Sequence, residues 1–332
     1  MPFSRRTYQE GVSSPLVAGR TVELEIPRDI AMHIEGCCVD VDGAVNVTTA
    51  FTPATGIRRF NQLSQIEVWA DSRNLFTGPA YFFAIGQPGR TTLGIGQTTP
   101  PAATVGTNTF SGSYVIDFAA IDALVPKDSN IRSGNYARLV VKITASQVAD
   151  MFSGATAGVG TFTSYNATIS SQCILEERDK NGNVLTLPSL LRTVTAQTQI
   201  DISAVATEKE IILNPGPLFR GLFIAVYNGA TGEPIPTATP AITRFSVGQR
   251  NNRWLTRREV TVRNMQSFDY EGAIHPGCYC LDFLKQGEAP VRHTELIPTA
   301  DVLDFRLWVN TAGIANAKMD VFQLGYFPLN AQ

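Results

Sequence analysis

Hydrophobic and polar residues alternate along this chain in short runs separated by turn residues. Period-two patterning of this kind marks strands with one face buried. In the first half it predicts strands at Thr21 to Ile26, Ile30 to Val41, Gln65 to Ala70, Ala80 to Ile85, Tyr114 to Phe118, Ala137 to Thr144 and Asn166 to Leu175. The second half repeats the texture at Gln199 to Ser203, Glu210 to Leu213, Gly221 to Tyr227, Ala241 to Val247, Arg258 to Arg263, Cys278 to Phe283, Phe305 to Val309 and Lys318 to Leu324. Helical periodicity is scarce, with two short candidates at Ala119 to Leu124 and Ser146 to Phe152.

The halves also resemble each other. Tyr114-Val115-Ile116-Asp117-Phe118 matches Tyr279-Cys280-Leu281-Asp282-Phe283 at an offset of 165 (279 less 114). Arg138-Leu139-Val140-Val141 matches Arg306-Leu307-Trp308-Val309 at 168 (306 less 138), and Ile57-Arg58-Arg59-Phe60 matches Ile242-Thr243-Arg244-Phe245 at 185 (242 less 57). A period near half the chain length reads as one unit written twice. The unequal offsets require extra length in the first copy. Residues 86–112, rich in Gly, Pro, Thr and Ala, supply it as a long loop, and a second surplus falls at 145–165. Loop insertions cost little thermodynamically. The boundary is expected at the charged turn Asp179-Lys180-Asn181-Gly182-Asn183, which gives an arm over 1–20, a first unit over 21–182 and a second over 183–332.

Two similar all-β units of this size fit two tandem eight-stranded jelly-roll β-sandwiches, a double jelly roll with short helices in its loops. Three motifs carry a family resemblance: Glu25-Ile26-Pro27-Arg28-Asp29-Ile30 after an alternating strand, Phe219-Arg220-Gly221-Leu222-Phe223-Ile224, and Pro276-Gly277-Cys278-Tyr279-Cys280-Leu281-Asp282-Phe283 followed by Trp308. On these the chain resembles the double jelly-roll major capsid proteins of tailless icosahedral bacteriophages, the tectivirus, corticovirus and finnlakevirus lineage. The resemblance implies a homotrimer shaped as a pseudo-hexameric tile, packed against neighbouring trimers in an icosahedral virion shell. It further implies contact with vertex (penton) and minor capsid proteins, inward-reaching termini near a possible internal membrane, and an outward feature at 86–112.

Composition and charge narrow the remaining classes. At 332 residues the chain suits two domains, and its 17% charged content lies below the roughly 25% usual for soluble proteins. Such a surface fits burial in an assembly. The net charge of −2 gives no field for condensing nucleic acid, so sequence-specific nucleic-acid binding is not expected. Five cysteines, with Cys37 and Cys38 adjacent on one strand, read as reduced thiols of a protein made in the host cytoplasm. No secretion signal or apolar span stands out.

The search for chemistry returns little, and no enzyme, cofactor or metal site is expected. His33, His275 and His293 have no metal-ligand spacing, and His33 reads as a sheet residue. Cys278 and Cys280 lack a second ligand pair. Asp40-Val41-Asp42-Gly43 reads as a hairpin turn in preference to a calcium loop. The basic clusters are Arg5 with Arg6, and Arg250, Arg253, Arg257 and Arg258 around Trp254. Arg and Trp are favoured in interface cores, so Arg5, Arg6, Arg253, Trp254, Arg257 and Arg258 are the candidate subunit contacts; stacking on nucleic acid is the competing reading for the second cluster. The rival overall function is a phage spike or a carbohydrate- or receptor-binding β-sandwich protein.

Overall fold

The computed structural model describes residues 6–29, 32–85, 98–119, 129–153, 159–176, 178–185, 188–216, 218–236, 238–249, 252–269, 275–284, 296–302 and 304–329. Among the described residues sixteen principal strands and two α-helices follow in order. The first eight strands are β1 (Arg6–Glu10), β2 (Thr21–Glu25), β3 (Met32–Val47), β4 (Leu63–Ala70), β5 (Arg73–Pro79), then helix α1 (Ala80–Ile85), β6 (Gly106–Asp117), β7 (Leu139–Ala145) and β8 (Gly160–Leu175). The second eight are β9 (Leu190–Asp201), β10 (Val205–Ile212), β11 (Leu218–Asn228), β12 (Ile242–Gln249), β13 (Asn252–Arg258), then helix α2 (Glu259–Asp269), β14 (Cys278–Asp282), β15 (Phe305–Ala312) and β16 (Ala317–Pro328).

Connectivity is the same in both sets. The first eight strands pair as β1-β8-β3-β6 and β2-β7-β4-β5; the second eight pair as β9-β16-β11-β14 and β10-β15-β12-β13. Adding eight to each strand number of the first set gives the second. Each set is two facing four-stranded antiparallel sheets in jelly-roll order, and the chain is a double jelly roll.

Irregularities recur at matching places as well. The β3–β8 register slips at Glu35, between Ile34 and Gly36, and the β11–β16 register slips at Arg220, between Phe219 and Gly221. The glycine after each bulge is required by close backbone approach. A Cβ on Gly36 would sit 2.8 Å from the Ile116 carbonyl oxygen, and one on Gly221 would sit closer still to that of Leu281. The β4–β5 and β12–β13 hairpins each slip once, at Leu75 and at Trp254. Bulges set strand register and bend, so their coincidence fixes residue equivalences: Gly36 with Gly221, Asp117 with Asp282, Val68 with Val247, and Phe76 with Leu255.

The Tyr114 and Tyr279 motifs do occupy equivalent strands, β6 and β14. The Arg138 and Arg306 motifs lie on β7 and β15 but two residues out of register, since Val141 is equivalent to Leu307. A two-residue slip keeps each side chain on its face. Ile57–Phe60 is not a strand counterpart of Ile242; it belongs to a 3-10 turn ahead of β4. Ala80 to Ile85, read as a strand, is α1, and Arg258 to Arg263, also read as a strand, is the last residue of β13 followed by the start of α2. Short apolar runs do not distinguish helix from strand, and burial decided the first case. Asp40 to Gly43 is no turn but the middle of β3, where Gly43 leaves room for the Phe110 ring.

Of the 86–112 loop, residues 86–97 lie outside the described residues, Thr98–Thr99 forms a short pairing with β6, and 106–112 belongs to β6 itself. The second surplus falls between β7 and β8 and holds a 3-10 turn at Val148–Met151. The helix candidate at Ala119 to Leu124 lies outside the described residues after Ala119. Arg6 to Glu10, expected within an arm, forms the edge strand β1 on β8.

Candidate assembly interface

The two rolls meet along one seam. Strand β5 of the first runs parallel to β9 of the second, with Phe76 beside Val194, so their sheets continue into each other. Helix α1 follows β5 without a break, buries Ala80 to Ala84, and sets Tyr81 and Phe82 against Phe322 and Phe223 of the β9-β16-β11-β14 sheet. Phe82 stacks on Phe322 with ring centroids 4.2 Å apart and planes within 14°, and it meets Phe223 edge-on at 5.8 Å. Beside this apolar contact stands a buried polar cluster. The Asp320 carboxylate accepts hydrogen bonds from the Tyr81 hydroxyl at 2.5 Å, the Gln199 backbone N–H at 2.6 Å and the Tyr227 hydroxyl at 3.0 Å. Burial pushes the Asp320 carboxyl above its ordinary range despite these donors, and burial beside Asp320 pushes the Tyr81 hydroxyl upward. The cluster borders a cleft of about 550 Å³ that Arg58, Asp150 and Thr198 also line.

Because of this seam β11, β14 and most of β16 are buried on both faces of their sheet. Leu222, Ile224, Val321 and Met319 fill the second core, while Phe223, Ala225, Phe322 and Leu324 join the first. Every residue of β11 from Phe219 to Tyr227 is buried, which accounts for its unbroken apolar run. Among the described residues the equivalent β1-β8-β3-β6 sheet is covered only on its inner face. Its outer face carries Cys38, Asp40 and Asp42 on β3, Ser113 on β6 and Thr168 on β8, all at least partly exposed.

Four of the six candidate contacts, Arg253, Trp254, Arg257 and Arg258, come together on β13, the outer edge of the four-stranded sheet. Arg253 pairs with Glu208 at 2.5 Å and lies 5.1 Å over the Trp308 ring. Trp254 is half-buried against the second core, 5.3 Å from Phe305. Arg257 reaches Met265 of α2, and Arg258 faces Arg244 across the hairpin. Arg5 lies outside the described residues, and Arg6 pairs with Ile174 on the opposite edge strand, β1. The sequence reading missed Tyr8 on that same strand, 77% exposed. An isolated aromatic in a polar segment gave no signal before the edge was seen.

His33 sits in β3, buried, with Nε2 3.9 Å from Glu176. His293 lies outside the described residues. Among the described residues no three His, Cys, Asp or Glu side chains are placed to hold a metal ion, and no helix is long and apolar enough to cross a membrane.

No protein-family model matches the chain, and no curated protein does. Solved structures match over nearly its whole length. The major capsid protein of Sulfolobus turreted icosahedral virus superposes with a TM-score of 0.71 at 14% identity, covering 99% of this chain and 100% of that one. The major capsid protein P2 of bacteriophage PM2 gives 0.60 at 13%, covering 98% and 99%. The Faustovirus major capsid protein gives 0.61 at 9%, covering 98% and 90%. The shared feature is the double jelly-roll fold, and it extends well beyond the tailless-phage lineage that the sequence motifs pointed to.

Proposed function

We propose that the chain is a viral major capsid protein: a non-enzymatic structural subunit that trimerises into pseudo-hexameric capsomers and tiles an icosahedral shell. The observation that carries this reading is two eight-stranded jelly rolls of the same connectivity joined edge to edge in one chain. Head-to-tail interfaces between like units close into rings when the rotation permits. Three chains of two rolls supply six such units, the shape that a hexagonal lattice needs. Full-length likeness to major capsid proteins supports it, since no domain of theirs is left unmatched.

On this reading residues 21–182, together with β1 (Arg6–Glu10), and residues 183–332 are the two tiling units, Arg5, Arg6, Arg253, Trp254, Arg257 and Arg258 contribute to contacts between copies, and the protein resides in the virion after synthesis in the host cytoplasm. Its partners are further trimers, vertex and minor capsid proteins and, where a bilayer lines the shell, that membrane. A bacteriophage of the tectivirus, corticovirus or finnlakevirus kind is the proposed source. Negative-stain images of the purified protein test it: hexagonal tiles or closed shells are expected, and uniformly small featureless particles at high concentration overturn it. The rival carbohydrate-binding reading draws on the polar cleft at Asp320. Glycan-array binding by a monomer would favour it.

A further inference from the structure

The seam inside the chain leaves two ends open. β5 of the first roll is closed by β9 of the second, whereas β13, equivalent to β5, and β1, equivalent to β9, have no strand on their outer edges among the described residues. Open edges expose unpaired backbone groups and invite a further strand.

Bulge-derived equivalences carry the comparison to single residues. Tyr8 pairs with Gln172 as Val194 pairs with Leu324, and Gln172 and Leu324 occupy the same place relative to Gly36 and Gly221. Tyr8 is therefore the counterpart of Val194, and Leu255 is the counterpart of Phe76. Val194 and Phe76 meet and are buried, at 1% and 0% exposure. Tyr8 is 77% exposed and Leu255 half-buried. We propose that β13 of one copy docks in parallel beside β1 of the next with Leu255 against Tyr8, repeating between chains the seam that β5 and β9 form within one.

Charge at the pair that follows, and helix placement, agree with this register. Two residues on, Arg257 falls beside Glu10. Arg253, whose charge Glu208 already meets, falls beside Arg6. α2 follows β13 as α1 follows β5, so it comes over the outer face of the β1-β8-β3-β6 sheet. Val260, 46% exposed, then takes the place of Tyr81, and Thr168 that of Asp320. The covered face bears Asp40 and Asp42, while β13 and α2 bring Arg257, Arg258 and Arg263. Opposite charges steer such an encounter and fix its register.

The inference rests on the trimer reading above, and one experiment separates the two. A Tyr8→Cys, Leu255→Cys double variant of the full chain is oxidised mildly and run without reductant, beside each single variant. Bands of two and three linked chains are expected from the double variant and none from either single one. Co-assembled single variants should give linked dimers only, which places the bond between chains. Trimers by light scattering that never cross-link would overturn the docking and leave the trimer standing; particles that stay monomeric would overturn both. Should the cysteine variants fold poorly, Glu10→Arg and Arg257→Glu serve. Each alone should weaken trimer association by about two- to fivefold per contact, and the swapped pair should recover it; no recovery counts against the register.

Discussion

The β1-β8-β3-β6 and β9-β16-β11-β14 sheets share strand order and bulge positions, yet among the described residues one is covered on a single face and the other, over β11, β14 and most of β16, on both. Equivalent positions follow that difference. Phe223 corresponds to Cys38, Ala225 to Asp40, Tyr227 to Asp42 and Phe322 to Ser170. An apolar face packed on α1 within the chain has, one roll earlier, a polar counterpart open to water. The same framework thus supports a seam closed within the chain and, on the docking proposed above, one that closes between chains. Obligate contacts resemble a core cut in half, and contacts made after folding keep polar surfaces.

Breaking the permanent seam should have the largest effect. Phe82→Ala removes the ring stacked on Phe322 and should cost about 3–5 kcal/mol, read by denaturant unfolding with a fall in midpoint. Next comes the polar cluster. Asp320→Ala strips the acceptor from two buried hydroxyls and a backbone N–H, at about 1–3 kcal/mol, read the same way. Its titration has a definite sign: the folded-state carboxyl lies above its unfolded value, so its contribution is fully present below the unfolded pKa and is lost as pH rises through the folded one. In Asp320→Asn that component of the pH dependence of the thermal midpoint should vanish.

Smaller losses are expected at the shared bulges. Gly36→Ala and Gly221→Ala both press a Cβ against a neighbouring carbonyl, and each should cost about 1–3 kcal/mol by chemical denaturation. A large loss at one and none at the other would break the equivalence. The smallest effect belongs to the open face. Thr168→Ala, placed as Asp320 is in the other roll, should alter unfolding of the isolated chain by no more than about 0.5 kcal/mol.

How much of this the sequence made legible depended on where two constraints agreed. β6 and β14 were readable because Asp117 and Asp282 stand opposite the bulge glycines, and the apolar alternation before them faces a core in both rolls. β9 was recognised only at its end, since Leu190 to Asp201 mixes Thr, Gln and Arg with few apolar residues and gains its burial from the seam. α2 read as a strand because Val and Thr alternate in Glu259 to Arg263, a local preference that the tertiary setting overrides. Of the candidate contacts, the Arg and Trp cluster was visible as composition. That it forms an open edge, and that Tyr8 forms the other, needed the strand order.

Mass in solution bears most directly on the claim that this chain is a unit built to close a ring with its own copies. Light scattering of the purified full chain at rising concentration should converge on three times 36.0 kDa, or on larger closed particles made of that unit. A mass of 36.0 kDa at every concentration would contradict it.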